Sequence, residues 1–395
     1  MIKKQIFHYL FATFLVTVAY TLPHSILTVL LLEKGLSISQ ILIIQSAYSL
    51  AIILFEFPSG MLSDNWSRKY LYLSSRVLLI IMFLIVLISS NFYFLYLAWF
   101  IYGIAAAFES GTLDSYLINK LKRSSNDKLI ESFISKDNKI QFASMIIGSG
   151  IGGILYFMIG IKIYIIAIIL VCLSIFDIGF FFQEDRDYYK EKINIDTFKK
   201  QISISFKELK ENSILRVIIV FDLLTQLFFQ AHFQLWQSFL LEKGIDKRYF
   251  TAFYFLFQII SILSYSIHTD KLQKLVNYRL FLLLVIALPL FFLSNLPVVY
   301  LIAYILYVFI FYIIQFVLNI YFNKQVSTKT ISSLISLKST ISRISGLLIL
   351  YALSFLLNYM SVSLVISLAF ILSLLSILLL LNYFIKNYIK LCSIR

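Results

Sequence analysis

Charge is what this chain has least of. Of its 395 residues only 14% are Asp, Glu, Lys or Arg, whereas soluble domains carry about 25%. Hydrophobic residues make up 60%, and mean hydropathy is +0.89. No water-soluble globule of this length buries that much apolar surface, and a disordered chain is excluded for the same reason. Cysteine is nearly absent. Cys172 lies inside an apolar run and Cys392 in the C-terminal tail, too few and too far apart for a secreted disulfide framework. There is no Walker loop, so ATP does not drive the protein directly, and no G-x-S-x-G nucleophile elbow. The four histidines, His8, His24, His232 and His268, lack metal-ligand spacing, so neither metal nor cofactor is expected.

What the chain does have is long apolar runs. Twelve candidate spans cover residues 6–32, 38–61, 70–90, 92–117, 140–158, 162–182, 214–241, 249–267, 279–296, 298–322, 334–357 and 361–384. Leu, Ile and Phe fill them without strict alternation, which argues against a β-barrel. No small-residue cleavage site follows the first run, so it reads as a retained helix and not a signal peptide. The net charge of +14 is topological: with the N-terminus inside, 29 of the 34 Lys and Arg fall on inner segments. Only Lys34, Lys162, Lys243, Lys247 and Arg248 lie outside. This distribution removes nucleic acid as a partner and leaves weak attraction to anionic membrane lipids.

The one long polar segment, residues 183–212, divides the chain into six spans before it (1–182) and six after it (213–395). Leu31-Leu32-Glu33-Lys34-Gly35 recurs as Leu240-Leu241-Glu242-Lys243-Gly244, an offset of 209. Adding 209 to the polar face of span 2 (Gln45, Ser49, Ile52, Glu56) gives Tyr254, Gln258, Ser261 and Tyr265, a polar stripe on span 8. The expected fold is therefore all-α, twelve transmembrane helices in two parallel six-helix pseudo-repeats, with Gly35 and Gly244 at equivalent corners.

Between spans 2 and 3 stands Gly60-Met61-Leu62-Ser63-Asp64-Asn65-Trp66-Ser67-Arg68-Lys69. It resembles the loop signature of the major facilitator superfamily, G-x-L-[AS]-D-[RK]-x-G-R-[KR], with Asn65 for a base and Ser67 for the second glycine. The resemblance covers the whole chain and implies a transporter. In that family this loop is the cytoplasmic latch, so Gly60, Asp64, Arg68 and Lys69 become gate residues, with Asp114 a partner for Arg68, Lys69 or Arg76. Gly60 is expected to permit close helix approach. Span 5 carries four of the 12 glycines in Gly148-Ser149-Gly150-Ile151-Gly152-Gly153. This is similar to the family's antiporter signature G-P-x-x-G-G, with Ser149 for proline. Ser144, Gly148, Gly152 and Gly153 also suit tight packing in any helix bundle. Residues 99–107 are similar to the antiporter pattern R-x-x-Q-G-x-G-A-A, but Trp99 stands where the arginine would be.

Five acids lie within spans: Glu56, Glu109, Asp114, Asp177 and Asp222. An acid at a helix centre costs about 2.5–3.5 kcal/mol on insertion scales, so each needs a reason to be there. Asp114, Asp177 and Asp222 lie near inner ends, where Lys or Arg could satisfy them. Glu109 and Glu56 lie deeper. Glu109 shares a face with Tyr102 and Tyr116, about 140° from Asp114, and has no evident cationic partner nearby in sequence. Glu109, Glu56 and Asp222 are the candidate proton or cation sites; a structural, hydrogen-bonded carboxylate is the alternative for each. Polar stripes on several spans suggest a shared cavity: Tyr20, His24, Gln45, Tyr102, Gln226, Gln230, Tyr254, Gln258, Gln315 and Asn319.

The expected function is secondary active transport by alternating access. The expected substrates are amphipathic, often cationic small molecules such as drugs, exported by a monomer in exchange for protons. Proton-coupled uptake of a nutrient, sugar or peptide, is the alternative within transport. A membrane enzyme acting on lipid-linked substrates is the rival class, and only residues 183–212 offer it a sizeable loop. The Ile-, Lys-, Phe- and Tyr-rich composition suggests a bacterial plasma (inner) membrane, with both termini cytoplasmic.

Overall fold

A computed structural model describes residues 2–65, 67–123, 127–184, 203, 207–266, 288–326 and 331–392. Its helices are α1 (Ile2–Thr21), α2 (Leu27–Glu33), α3 (Ile38–Asn65), α4 (Arg68–Ile88), α5 (Phe92–Glu109), α6 (Leu113–Arg123), α7 (Asp127–Ile159) and α8 (Ile163–Phe181), then α9 (Ser213–Glu242), α10 (Phe250–Tyr265), α11 (Pro297–Gln325), α12 (Ile331–Leu356) and α13 (Val362–Cys392). Among the described residues nine helical stretches are long and apolar enough to cross a membrane. Their outer faces are apolar: Ile88 is 80% exposed, Met158 74% and Phe180 71%. Such faces belong against hydrocarbon, and the chain is a multi-pass membrane protein. The expected ninth span, 279–296, lies largely outside the described residues; its end is a 3₁₀ turn, Leu288–Leu293.

Two spans expected to be continuous are broken. In the first, Pro23 has no N–H to offer and its ring clashes with the preceding turn, so α1 gives way to a 3₁₀ turn, His24–Ile26, before α2. In the fourth, the break is Ser110-Gly111-Thr112. Gly111 sits at φ +70°, and the Thr112 hydroxyl donates to the Glu109 carbonyl at 2.7 Å, closing α5 off from α6.

By contacts the chain forms two compact units: Met1–Ile195 with Lys247–Phe255, and Asp196–Asp246 with Leu256–Arg395. In the first, α1 packs on α7 and α8, and α5 packs on α3 and α4. Small residues bring these helices together. Gly103 sits against the Tyr48 carbonyl and the Ala51 methyl, Gly148 against Thr21 and Val18, and Gly152 against the Leu22 backbone. Ser144 is fully buried on the same ridge, and Gly153 faces Ser25 and Thr251. The segment Lys247–Phe255, which follows the first six spans in chain order, packs within this unit through Thr251 and through Phe255 against Gly150. In the second unit α9 packs on α11, α12 and α13 around stacked rings, Phe228 on Phe311 at 3.9 Å and Tyr307 on Phe370 at 5.0 Å.

The repeat is visible atom by atom. Gly35 and Gly244 both take positive φ, +87° and +74°, and both follow the same end-of-helix pattern. Gly35 N–H donates to Leu32 and Leu36 N–H to Leu31; Gly244 and Ile245 donate likewise to Leu241 and Leu240. Lys34 donates to the Ser89 carbonyl at 2.7 Å, and Lys243 to the Ser294 carbonyl at 3.0 Å. Burial pulls the Lys34 pKa below the ordinary lysine value. The glutamates diverge. Glu242 accepts from the Val362 and Ser363 N–H groups (2.6 and 3.1 Å) and caps α13. Glu33 accepts instead from Lys247 (2.6 Å) and from the Tyr156 hydroxyl.

Gly152→Ala drives a methyl group into the Leu22 backbone and is expected to destabilise the protein by roughly 1–3 kcal/mol. Gly179, with nothing within 4 Å of its Cβ direction among the described residues, is the control: Gly179→Ala should leave the thermal midpoint of the purified protein unchanged or slightly raised.

Candidate functional site

Arg76 on α4 is 2% exposed, two turns into a helix whose other charges, Arg68 and Lys69, stand at its start. A guanidinium so placed requires a counterion, and α5 supplies it. Glu109, the last residue of α5, takes both terminal nitrogens of Arg76, Nη1 to Oε2 at 2.9 Å and Nη2 to Oε1. The guanidinium also lies over the Tyr72 ring, 4.1 Å from its centroid. The Glu109 side chain is 48% exposed, and what it faces is a cavity of about 380 Å³.

The cavity belongs wholly to the first unit. Helix α1 lines it with Tyr9, Thr13, Thr17 and Tyr20, α3 with Tyr48, and α5 with Tyr102, Ala105 and Ala106. Tyr48 and Tyr102 pack with centroids 4.8 Å apart. The α5–α6 break contributes Ser110 and Gly111, α6 contributes Asp114, and α7 contributes Asp137 and Gln141. Asp137 accepts from the Gln141 amide at 2.9 Å through one oxygen; its other oxygen is buried without a partner among the described residues. One guanidinium thus faces three carboxylates among aromatic rings and hydroxyl groups. Such a wall offers apolar burial, ring contact and negative charge together, at a size typical of small-molecule sites.

Several expectations are corrected here. Glu109 does have a cationic partner, Arg76, invisible in the sequence because it lies one helix earlier. Arg76 therefore does not pair with Asp114. Nor does Lys69, whose ammonium donates to the Gly179 and Phe182 carbonyls (2.8 and 2.7 Å) at the end of α8. The N–H groups of Arg68 and Lys69 and the Ser67 hydroxyl all donate to Glu184 (3.2, 3.2 and 2.5 Å), which ties the start of α4 to the end of α8. Ser67, which replaces the family's glycine, is the N-cap of α4. Among the described residues no atom stands within 4 Å of a Cβ built at Gly60, so the expected close approach is not seen there. The Asp64 side chain lies outside the described residues. Trp99, at the position of the absent arginine, donates its indole N–H to Gln45 at 3.0 Å.

Of the expected cavity residues, Tyr20 and Tyr102 line the cavity. His24, Gln45 and Tyr254 do not: His24 packs at a tilt on Tyr20, and Gln45 is taken by Trp99; Glu56, expected as a proton or cation site, is not in the cavity wall either. Gln226, Gln230, Gln258, Gln315 and Asn319 belong to the second unit, where Gln230 abuts Gly346. Asp222 is 2% exposed and bonded on both oxygens. Lys338 stands 3.1 Å from its Oδ1, Gln315 donates to the same oxygen at 2.9 Å, and Ser342 donates to Oδ2 at 2.8 Å. Asp177 is met by His8 at 2.9 Å. Sequence reasoning missed Arg76 as the Glu109 partner, and Asp137, Tyr48, Tyr72 and Lys338 altogether. The spacing Asp137, Gln141, Ser144 would have shown that span 5 continues inward as a helix with Asp137 on its polar face.

Residues 9–350 match the sequence pattern of the Major Facilitator Superfamily. No curated protein matches the chain in sequence. Among solved structures the chain is similar to the nucleoside transporter NupG (13% identity, TM-score 0.73), covering 97% of this chain and 99% of that one. It is also similar to a bacterial homolog of the human lysosomal transporter Spinster (12%, TM-score 0.64, covering 97% and 95%). The POT family transporter PepTSo gives 11% and TM-score 0.64, covering 98% of both chains. At these identities the likeness is one of fold.

The Arg76–Glu109 pair is asymmetric, because Glu109 alone can turn to cavity water and Arg76 alone cannot. Glu109→Gln is therefore expected to cost about 2–3 kcal/mol of stability, more than Arg76→Met, which leaves a half-exposed carboxylate. Thermal unfolding of the two purified variants checks the order; Arg76→Met as the worse of the two would contradict it.

Proposed function

Because the chain belongs to the major facilitator superfamily, a family of small-molecule transporters and not of enzymes, we propose that it is a proton-coupled exporter of amphipathic, cationic small molecules. The observation that carries this reading is the composition of the first unit's cavity: Tyr9, Tyr20, Tyr48, Tyr72 and Tyr102 beside Glu109, Asp114 and Asp137, with Arg76 the one cation among the described residues. Rings hold a flat or apolar body, and the surplus of carboxylates holds a positive charge. Export is supported by the span 5 glycines and their likeness to the antiporter signature. Residues 1–182 and 213–395 act as the two bundles, joined by 183–212, and access alternates by their rocking. The Lys and Arg distribution supports cytoplasmic termini in a bacterial plasma membrane.

A second reading is uptake of a hydroxylated nutrient. The hydroxyl groups of Thr13, Thr17, Ser110 and the tyrosines favour it, as do the nucleoside and peptide transporters of similar fold. Both readings make Asp64 part of the inner gate. A charge-assisted contact of about 1–3 kcal/mol lost at that gate shifts the balance of states by about fivefold to about a hundredfold.

Purified protein in lipid vesicles under an imposed pH gradient, offered lipophilic cations, sugars, nucleosides and short peptides, separates the readings. Gradient-driven movement of cations opposite to the proton flow is the expected result; movement of a nutrient with the protons would replace export by uptake. In the same vesicles Asp64→Asn should lower transport about tenfold with helix content intact, and unchanged kinetics would remove Asp64 from the gate.

A further inference from the structure

In the second unit the counterparts of several cavity-lining residues are bonded to one another. Equivalent contacts set the register. The offset of 209 holds for α1 and α9; Ser89 and Ser294, which accept from the two repeat lysines, put α5 and α11 at an offset of 205. Gly148 and Gly346, packed on Thr21 and Gln230, put α7 and α12 at 198. With these offsets the cavity-lining residues Thr13, Ser110 and Asp114 correspond to Asp222, Gln315 and Asn319. Ile140, next to the lining residue Gln141, corresponds to Lys338. These four residues of the second unit are the ones bonded to one another.

The two ion pairs differ in what they permit. Arg76 commits both terminal nitrogens to Glu109, and its Nε has no partner among the described residues. Protonating Glu109 would strand a buried guanidinium, which does not give up its own proton. Lys338 has other partners in place: Asn319 Oδ1 at 3.0 Å and the Phe322 ring, 4.9 Å from the ammonium. Asp222 likewise keeps Gln315 and Ser342, and the Thr225 hydroxyl holds the Gln315 amide by donating to its oxygen at 3.0 Å. Among the described contacts of the cluster, α11 contributes Gln315 and Asn319 and α12 contributes Lys338 and Ser342; Arg343 follows Ser342 on α12. If Asp222 takes up a proton, every member of the cluster retains a hydrogen-bond partner.

We propose that Asp222 and Lys338 are the proton-coupling pair of the transport cycle, and that Arg76 and Glu109 serve binding; this rests on the proton-coupled reading above. One proton from the aqueous phase adds to a carboxylate oxygen of Asp222. The pair passes from neutral to a single positive charge, with Lys338 still an ammonium held by Asn319. The same proton later leaves to the other side, and the ion pair re-forms.

The test has a spectroscopic arm and a transport arm. In pH-jump infrared difference spectra of the purified protein in lipid, one component of the protonated-carboxyl region is expected in the wild type and in Glu109→Gln and missing from Asp222→Asn. A protonated-carboxyl region that is undiminished in Asp222→Asn overturns the assignment. For transport, Asp222→Asn/Lys338→Met removes both charges, so no buried ion is left alone, and its thermal midpoint reports the fold. In vesicles with ethidium, this variant should lose gradient-driven accumulation by about tenfold or more while equal-pH exchange stays within about threefold of wild type. Accumulation at the wild-type level in the folded double variant overturns the pair alone. A wild type that moves no compound under the gradient overturns the proton-coupled reading, and the coupling role with it.

Discussion

A charge inside an apolar helix bundle must travel with its counterion, and the arrangement of this protein follows from that requirement. Arg76 is the most enclosed cation of the first unit, and Glu109 answers it from the end of α5. The break that follows Glu109 turns the chain at Gly111 and opens a wall of backbone and hydroxyl groups onto the cavity. Helices α3 and α5 can approach this closely because Gly103 puts no side chain between α5 and the Tyr48 backbone. A larger residue at 103 would push α5 off the Tyr48 backbone and carry Glu109 away from Arg76.

The second unit meets the same requirement with its charges enclosed, the Asp222 side chain 3% exposed and that of Lys338 14%. Asp222 and Lys338 are enclosed by amides and hydroxyls, and the rings of Phe228, Tyr307, Phe311 and Phe370 stack as core. Two copies of one structural pattern are thus used differently. The divergence repeats at the corners, where Glu242 caps a helix and Glu33 holds Lys247 and Tyr156. The lysines beside them kept their shared role on a serine carbonyl.

Much of the architecture was legible because it rests on periodicity and local geometry. Apolar run length marked the spans, and the offset of 209 found the two glycine corners with their positive φ. The glycine ridge Gly148–Gly153 announced the α1–α7 contact. The site was less legible because its partners are far apart in sequence. Glu109 was visible as a deep acid, but nothing local links it to Arg76. Asp137 was hidden by drawing span 5 too short, and the break at Ser110–Thr112 was hidden by apolar residues on both sides. Polar stripes on single helices do not say which pocket they face: Tyr20 and Tyr102 line the cavity, whereas Gln45 serves Trp99 and Gln315 serves Asp222.

The central claim is that the cavity of the first unit is where the transported molecule sits. The most direct test is an experimental structure of the protein with a transported compound bound. Ligand density between Tyr20, Tyr102 and Glu109, with its charged group toward Asp114 and Asp137, is the predicted result. Density seated elsewhere, with this cavity empty, would contradict it.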